Sequence, residues 1–267
     1  MKVGITGCAG RMGRVLLRQV AGHGRCAIVG GSEHGDNEAI GLDIGELAGI
    51  GTLGLTVERS AKPVFEAADV ILDFTAPAAT ARHAELAAET GAALVAGTTG
   101  LDPDQEKAVT EASAKTAIVR AANMSVGVNP LLSLTRRVAA TLGPDFDIEI
   151  LEMHHRHKVD APSGTALALG RAAASGRGVN HDDVADRGRD GITGERRRGD
   201  IGYAALRGGN VAGEHAVIFA ADNERVELVH KATDRAIFAR GALAAAIWLK
   251  GKSPGLYSMA DVLGVEA

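Results

Sequence analysis

The sequence predicts an α/β fold in which a parallel-sheet domain is joined to a smaller α+β domain with a mixed or antiparallel sheet. Three observations predict it. Over the first half, short runs of Val, Ile, Leu and Ala alternate with segments of helical spacing. Polar or glycine-rich turns follow the carboxyl ends of those runs, the edge at which open α/β sheets hold ligands. Beyond residue 200, strand-like runs follow one another with only turns between them.

Residues 2–6 read as a short buried strand. Gly7-Cys8-Ala9-Gly10-Arg11-Met12-Gly13 follows at once, and residues 14–21 have helical spacing through Val15, Leu16 and Val20. Strand, glycine turn and helix form the context of a dinucleotide fingerprint, in which backbone N–H groups approach a pyrophosphate at a helix N-terminus. The spacing is GxxGxxG rather than GxGxxG. Residues 26–30 form the second strand. Glu33 lies about 20 residues beyond Gly13, where an acid meets the adenine ribose hydroxyls. A carboxylate there favours NADH, and His34 beside it softens that preference only when protonated.

Residues 35–56 read as a glycine-rich loop and 64–68 as a helical turn. The run 69–75 is a strand broken by Ala76-Pro77-Ala78, with a helix over 80–89. Residues 92–97 form a strand ending in Gly97-Thr98-Thr99-Gly100. After a helix over 104–113, the strand 117–121 ends at Ala122-Asn123-Met124-Ser125. Strands buried on both faces suit a parallel sheet. Thr75, Thr98, Thr99 and Asn123 are therefore expected to line the cofactor crevice of a Rossmann-type domain.

The second half begins with a helix over 126–141, a strand over 147–153 and a helix over 165–174. Residues 175–200, dominated by Gly, Arg and Asp, read as a long loop. An antiparallel set is expected at 203–207, 210–211, 216–220 and 224–232. A helix over 235–249 packs back on the first domain, residues 251–255 are a loop and 258–263 a last helix. The expected domains are 1–125 with 235–267 for the dinucleotide, and 126–234 for substrate binding and assembly.

Composition excludes several classes. With 267 residues and a net charge of −4, nothing suggests a nucleic-acid partner. The run Arg196-Arg197-Arg198 reads as a solvated loop. Cys8 and Cys26 have no metal-ligand spacing, which fits a reducing compartment. No signal peptide or membrane span is expected, so the protein is expected to be soluble and cytoplasmic.

The densest chemistry lies in Glu152-Met153-His154-His155-Arg156-His157-Lys158-Val159-Asp160-Ala161-Pro162-Ser163-Gly164-Thr165-Ala166. Histidine titrates near neutrality and lysine offers a point charge. A helix opening at Gly164-Thr165 offers backbone N–H groups to an anion, and Ser163 or Thr165 can cap it. Closely spaced cations are expected to depress His154 and Lys158 in the empty site. Adjacent His154 and His155 point to opposite sides of a strand, and no acid or cysteine completes a tetrahedral set, so no metal is expected. An acylating semialdehyde dehydrogenase would need a nucleophilic cysteine, and neither Cys8 nor Cys26 is placed for it. A dinucleotide-binding regulator without catalysis would bind cofactor without consuming it.

Taken together, these residues resemble the 4-hydroxy-tetrahydrodipicolinate (dihydrodipicolinate) reductase family over nearly the whole chain. The resemblance is carried by the glycine turn, Asp73-Phe74-Thr75, Gly97-Thr98-Thr99-Gly100, Ser125-Val126-Gly127-Val128-Asn129, the His154–Lys158 stretch and Gly213-Glu214-His215. It implies hydride transfer from NADH or NADPH to a cyclic dicarboxylate with loss of water, and a homotetramer assembled through the second domain's sheets. By the same resemblance Gly7, Cys8, Ala9, Gly10, Arg11 and Met12 bind the cofactor phosphates, and Glu33, with His34 next to it, meets the adenosine ribose. Gly97, Thr98, Thr99, Ala121, Ala122, Asn123 and Met124 contact the nicotinamide half. His154 and Lys158 handle protons, while His155, Gly164 and Thr165 hold substrate. His34 departs from the arginine common after the acid, and Met124 from a frequent phenylalanine.

Overall fold

The computed structural model describes residues 1–265, in two compact units. Residues 266 and 267, included in the first predicted domain, lie outside the described residues. The first unit comprises Met1–Val126 and Ala236–Gly264, the second Gly127–Arg235.

In the first unit the strands are β1 (Lys2–Thr6), β2 (Ala27–Ser32), β3 (Val57–Glu58), β4 (Val70–Asp73), β5 (Ala93–Ala96) and β6 (Ala117–Arg120). The helices between them are α1 (Arg11–Ala21), α2 (Ile44–Ala48), α3 (Lys62–Ala67), α4 (Pro77–Thr90) and α5 (Pro103–Ser113). The chain enters the second unit with α6 (Val128–Leu142) and a short 3₁₀ turn. There follow β7 (Asp147–His154), α7 (Gly164–Gly176), α8 (His181–Val184), β8 (Ala185–Asp186), β9 (Ile201–Arg207), β10 (Gly213–Ala220) and β11 (Arg225–Ala232). It returns through α9 (Ala236–Leu249), β12 (Gly255–Tyr257) and α10 (Met259–Leu263).

The first sheet runs β12-β6-β5-β4-β1-β2-β3 and is parallel throughout. Strand order reverses between β1 and β4, which makes the carboxyl edge there the switch point of the sheet. Both faces are buried. Val70, Leu72, Val95 and Val119 face the core shared with α1 and α9, whereas Ile71, Leu94 and Ile118 face α3, α4 and α5. This explains why the strands read as unbroken apolar runs.

The second sheet runs β11-β10-β7-β9-β8. β10 is antiparallel to β7 and β11, but β9 lies parallel to β7. The sheet is therefore mixed, one of the two forms expected; of the expected antiparallel set, β10 and β11 pair antiparallel, and β9 departs by lying parallel to β7. Ile148 and Ile150 of β7 join Val217, Phe219, Ile201 and Tyr203 beneath α6 and α7. Residues 210–211 form no strand.

Four further expectations change. The loop 35–56 contains α2, capped by Asp43, whose carboxylate accepts from Gly45, Glu46, Leu53 and Gly54 N–H. The loop 175–200 contains α8 and the edge strand β8, and β12 begins at the last residue of the expected loop 251–255 and fills the gap before the last helix. The arginine run is not simply solvated. Arg196 donates to Asp147 Oδ1 at 2.6 Å, Glu149 Oε1 at 2.9 Å and the Ile148 carbonyl at 3.0 Å, so it clamps the outward face of β7.

Candidate active site

The first constellation lies on the carboxyl edge of the parallel sheet. Gly7 takes a left-handed conformation, φ 64°, which turns the chain from β1 into α1. The helix starts at Arg11, earlier than its spacing suggests, with Gly10 as N-cap. Gly13 therefore sits inside α1, packed so tightly on the Gly7 carbonyl and the Cys8 backbone that a Cβ would collide with both. The cap makes no side-chain hydrogen bond, and the first turn of this eleven-residue helix carries no acidic residue. A close-packed glycine turn ahead of an uncapped N-terminus fits a dinucleotide pyrophosphate.

Glu33 follows β2 directly and reaches back to accept the Ala9 N–H at 2.9 Å. The acid predicted for the ribose is thus anchored to the phosphate turn. His34 is exposed. Cys8 is buried, and its thiol is pushed up to about 12 by burial and by the charge of Glu33. It is no nucleophile at neutral pH, which removes the acylating alternative at this position.

Around the switch point, Asp73 is completely buried. Its Oδ1 accepts from Thr6 and Thr75 hydroxyls, both at 2.7 Å, and lies 3.2 Å from His83 Nδ1, whereas Oδ2 has no partner among the described residues. Burial pushes this carboxyl up, but His83 and the Thr80 and Thr75 hydroxyls outweigh it and hold it below its usual range. Thr98 Oγ1 accepts the Thr75 N–H at 3.0 Å and the Thr80 hydroxyl at 2.7 Å. Thr99 and Ala122 are exposed, and Gly97, Ala121 and Asn123 half-buried. Met124 differs: its side chain is 1% exposed and packs in the core, where its carbonyl meets Gly241 of α9.

The second constellation grows from β7. The two-residue period of a strand places Glu152 and His154 on the same buried face as Ile148 and Ile150. Glu152 Oε2 lies 2.6 Å from His154 Nδ1 and accepts Arg207 Nη1 at 2.8 Å; Oε1 accepts Arg207 Nη2 at 2.8 Å and the Ser163 N–H at 3.1 Å. Burial pushes Glu152 up, but Arg207 and His154 outweigh it and hold the carboxyl below its usual range. Because an ionised carboxylate only accepts, Nδ1 of neutral His154 carries the hydrogen. Its Nε2 faces Gly213, where a Cβ would come within 3.0 Å. The expectation built on cations alone omitted this carboxylate.

After β7 the chain turns, with the Lys158 N–H donating to the His155 carbonyl at 3.1 Å. Lys158 Nζ donates to Asp160 Oδ1 at 2.8 Å and holds that carboxyl below its usual range. His155 Nε2 lies 3.1 Å from Arg235 Nη2. Partial burial and the charges of Arg235, His154, His157 and Lys158 hold His155 below its ordinary value. Gly164 and Thr165 are the first two residues of α7, whose N-cap Ser163 accepts the Ala166 N–H at 3.2 Å.

The structure thus brings His154, His155, Lys158 and the start of α7 into one cluster. It adds Glu152, Arg207 and His215, to which sequence reasoning gave no role. Ring centroids of His154 and His215 lie 5.1 Å apart, edge to face. A signal existed for Glu152, two residues before His154 on a strand, and for His215 in the Gly213-Glu214-His215 motif. Nothing local marks Arg207, which arrives through the β7–β9 pairing opposite His154. Among the described residues, no three His, Cys, Asp or Glu side chains are grouped as metal ligands.

Comparison with known proteins agrees at both ends of the chain. The family profile described as dihydrodipicolinate reductase, N-terminus, matches residues 1–124, and its C-terminus counterpart residues 127–263. The 4-hydroxy-tetrahydrodipicolinate reductase of Dinoroseobacter shibae is 55% identical over 261 residues, 98% of this chain and 97% of that protein. That of Ruegeria pomeroyi is 56% identical over the same shares. A dipicolinate-bound dihydrodipicolinate reductase from Paenisporosarcina sp. TG-14 shares the fold with a TM-score of 0.77 at 23% identity, covering 98% of each chain. On these matches, spread over nearly the full length, the chain belongs to the dihydrodipicolinate reductase family.

Proposed function

We propose that His154 and Lys158 handle the protons of the reaction catalysed by this chain. The chain is an NAD(P)H-dependent oxidoreductase of the diaminopimelate route to lysine. It converts (2S,4S)-4-hydroxy-2,3,4,5-tetrahydrodipicolinate, NAD(P)H and a proton into tetrahydrodipicolinate, NAD(P)⁺ and water. The nicotinamide, when bound, supplies the hydride.

The residues of the chain do the rest. Gly7 to Met12 hold the cofactor phosphates at the start of α1, and Glu33 orients the adenosine ribose. Gly97, Thr98, Thr99, Ala121, Ala122 and Asn123 border the nicotinamide half, with Met124 contributing through its backbone. In the second unit, His154 exchanges its proton at Nε2. Lys158 leaves Asp160 to meet a substrate carboxylate and donates a proton. The first turn of α7, through the Gly164 and Thr165 N–H groups, and His155 receive the other carboxylate. The observation that carries this reading is the buried His154, held at Nδ1 and facing Gly213 at Nε2, in one cluster with Lys158 and the start of α7.

Assembly as a homotetramer is part of the proposal. The face of the second sheet turned away from α6 and α7 carries Leu151, Met153, Leu206, Ile218 and Val229, with Leu206 and Val229 exposed in this chain. Apolar residues in register across four strands suit a face covered by another copy. A cytoplasmic location is supported by two free cysteines. Among the described residues no helix is long and apolar enough to cross a membrane.

The test is a coupled assay. Aspartate semialdehyde and pyruvate, with the preceding synthase, generate the unstable substrate in place. Loss of NADH or NADPH absorbance on adding this protein supports the reading; oxidation of neither cofactor overturns it.

A further inference from the structure

We infer that Glu152 is a positioning residue that fixes the tautomer of His154 and ties it to the substrate-anion end of α7. The inference rests on the proton-handling role proposed for His154 and deepens it.

The geometry carries the argument. The two oxygens of Glu152 have separate duties. Oε2 receives His154 Nδ1 and one Arg207 nitrogen; Oε1 receives the other Arg207 nitrogen and the Ser163 N–H. Ser163 immediately precedes Gly164 and caps α7. One buried carboxylate, 1% exposed, therefore holds both the imidazole and the start of the helix. Arg207 keeps that carboxylate ionised, so Nδ1 of neutral His154 must donate and Nε2 is left as the reactive nitrogen. A carboxylate behind a histidine also stabilises the imidazolium formed when Nε2 takes a proton.

Substituting Gln for Glu152 preserves size and removes one acceptor. If the amide oxygen stays with the Ser163 N–H, the NH₂ faces His154 Nδ1, which must then accept, and the hydrogen moves to Nε2. The wrong nitrogen is now protonated. The charged or titratable groups around His154 are Glu152 on its own strand, Arg207 on β9, His215 on β10 with His230 behind it on β11, and His155 and Lys158 in the following turn. Of these, Glu152 is the anion in contact with it.

Two measurements on the full-length protein test the inference. In wild type at alkaline pH, nitrogen NMR of histidine-labelled protein should show Nδ1 of His154 protonated and Nε2 bare. The reverse tautomer overturns the inference without touching the function. In Glu152→Gln, kcat should fall on the order of 10²-fold or more, with cofactor affinity unchanged. In the same variant the Nδ1-protonated form of His154 should give way to the Nε2-protonated one, a change that a merely structural role for Glu152 would not produce. If His154→Ala is inactive while Glu152→Gln keeps the wild-type kcat and tautomer, the positioning role fails alone. If His154→Ala keeps full activity, the proton-handling reading fails and the inference with it.

Discussion

Ser163 Oγ lies 3.0 Å from His215 Nε2 while it also accepts the Ala166 N–H that caps α7. A strand residue of the second sheet is thereby locked to a helix start more than fifty positions away in sequence. His215 is buried, its Nδ1 has no partner among the described residues, and it is pushed down to about 4 by burial and then by the charge of His154.

The consequence is a pH dependence of stability. His215 is neutral in the folded protein, whereas its unfolded form takes a proton as pH falls through 6.5. Its folded value is depressed, so the unfolded state binds more protons between those limits. Stability is then lost as pH falls from 6.5 towards about 4. From pH 7.5 to 5 the loss from this group is roughly 2 kcal/mol. Urea unfolding of wild type and His215→Asn at both pH values checks it: the variant should show a shallower dependence by about that amount.

Asp73 titrates in a separate window. Its folded value is depressed, so its contribution is present above the ordinary carboxylate range and lost as pH falls below it. Asp73→Asn removes the charge under Thr6, Thr75 and His83 and should cost about 1–3 kcal/mol in thermal unfolding at pH 7. Thr98→Val leaves the Thr75 N–H without its acceptor and removes a hydroxyl at the edge proposed for the nicotinamide. It should weaken cofactor binding by about 10-fold, measured by quenching or enhancement of NADH fluorescence, with a smaller effect on unfolding than Asp73→Asn.

The glycine turn offers a test with a built-in control. Gly13→Ala places a methyl on the Gly7 carbonyl and the Cys8 backbone, so the turn must open. NADH affinity should fall by at least about 10-fold, a loss of about 1.4 kcal/mol. Gly24→Ala adds a methyl with nothing within 4 Å and should leave both affinity and melting temperature unchanged. Titration calorimetry reads the affinities and scanning calorimetry the melting temperatures.

The arginine run separates by position. The Arg196 side chain is 17% exposed and holds two carboxylates and the Ile148 carbonyl; that of Arg198 is 72% exposed and meets the exposed Asp145. Arg196→Ala should cost about 2 kcal/mol, and Arg198→Ala within about 0.5 kcal/mol. Denaturant midpoints distinguish them.

The sequence made the parallel sheet legible because its strands are buried on both faces and ended by glycine or polar turns, as at Gly97 and Ala122. It hid α2, five residues long: its core contacts through Ile44, Leu47 and Ala48 fill little more than one turn, too short to show a helical period, and its start is fixed by the Asp43 carboxylate. It hid β8 and β12, two and three residues long, whose existence depends on neighbours already in place. The parallel pairing of β9 with β7 was unreadable, since the partner lies beyond a long polar segment. The same reason hid Arg207. The site was legible where it was local, in His154, Lys158 and Gly164. It was illegible where it needed register: His215 stands opposite Glu152 only once β10 has paired with β7.

The central claim is that His154 and Lys158 handle the protons of the reduction. The direct measurement is steady-state kcat and KM in the coupled assay for wild type, His154→Ala and Lys158→Ala, with cofactor affinity measured separately. Each substitution should lower kcat/KM by about 10²-fold or more and leave NADH binding intact. Full activity in both variants would contradict the assignment.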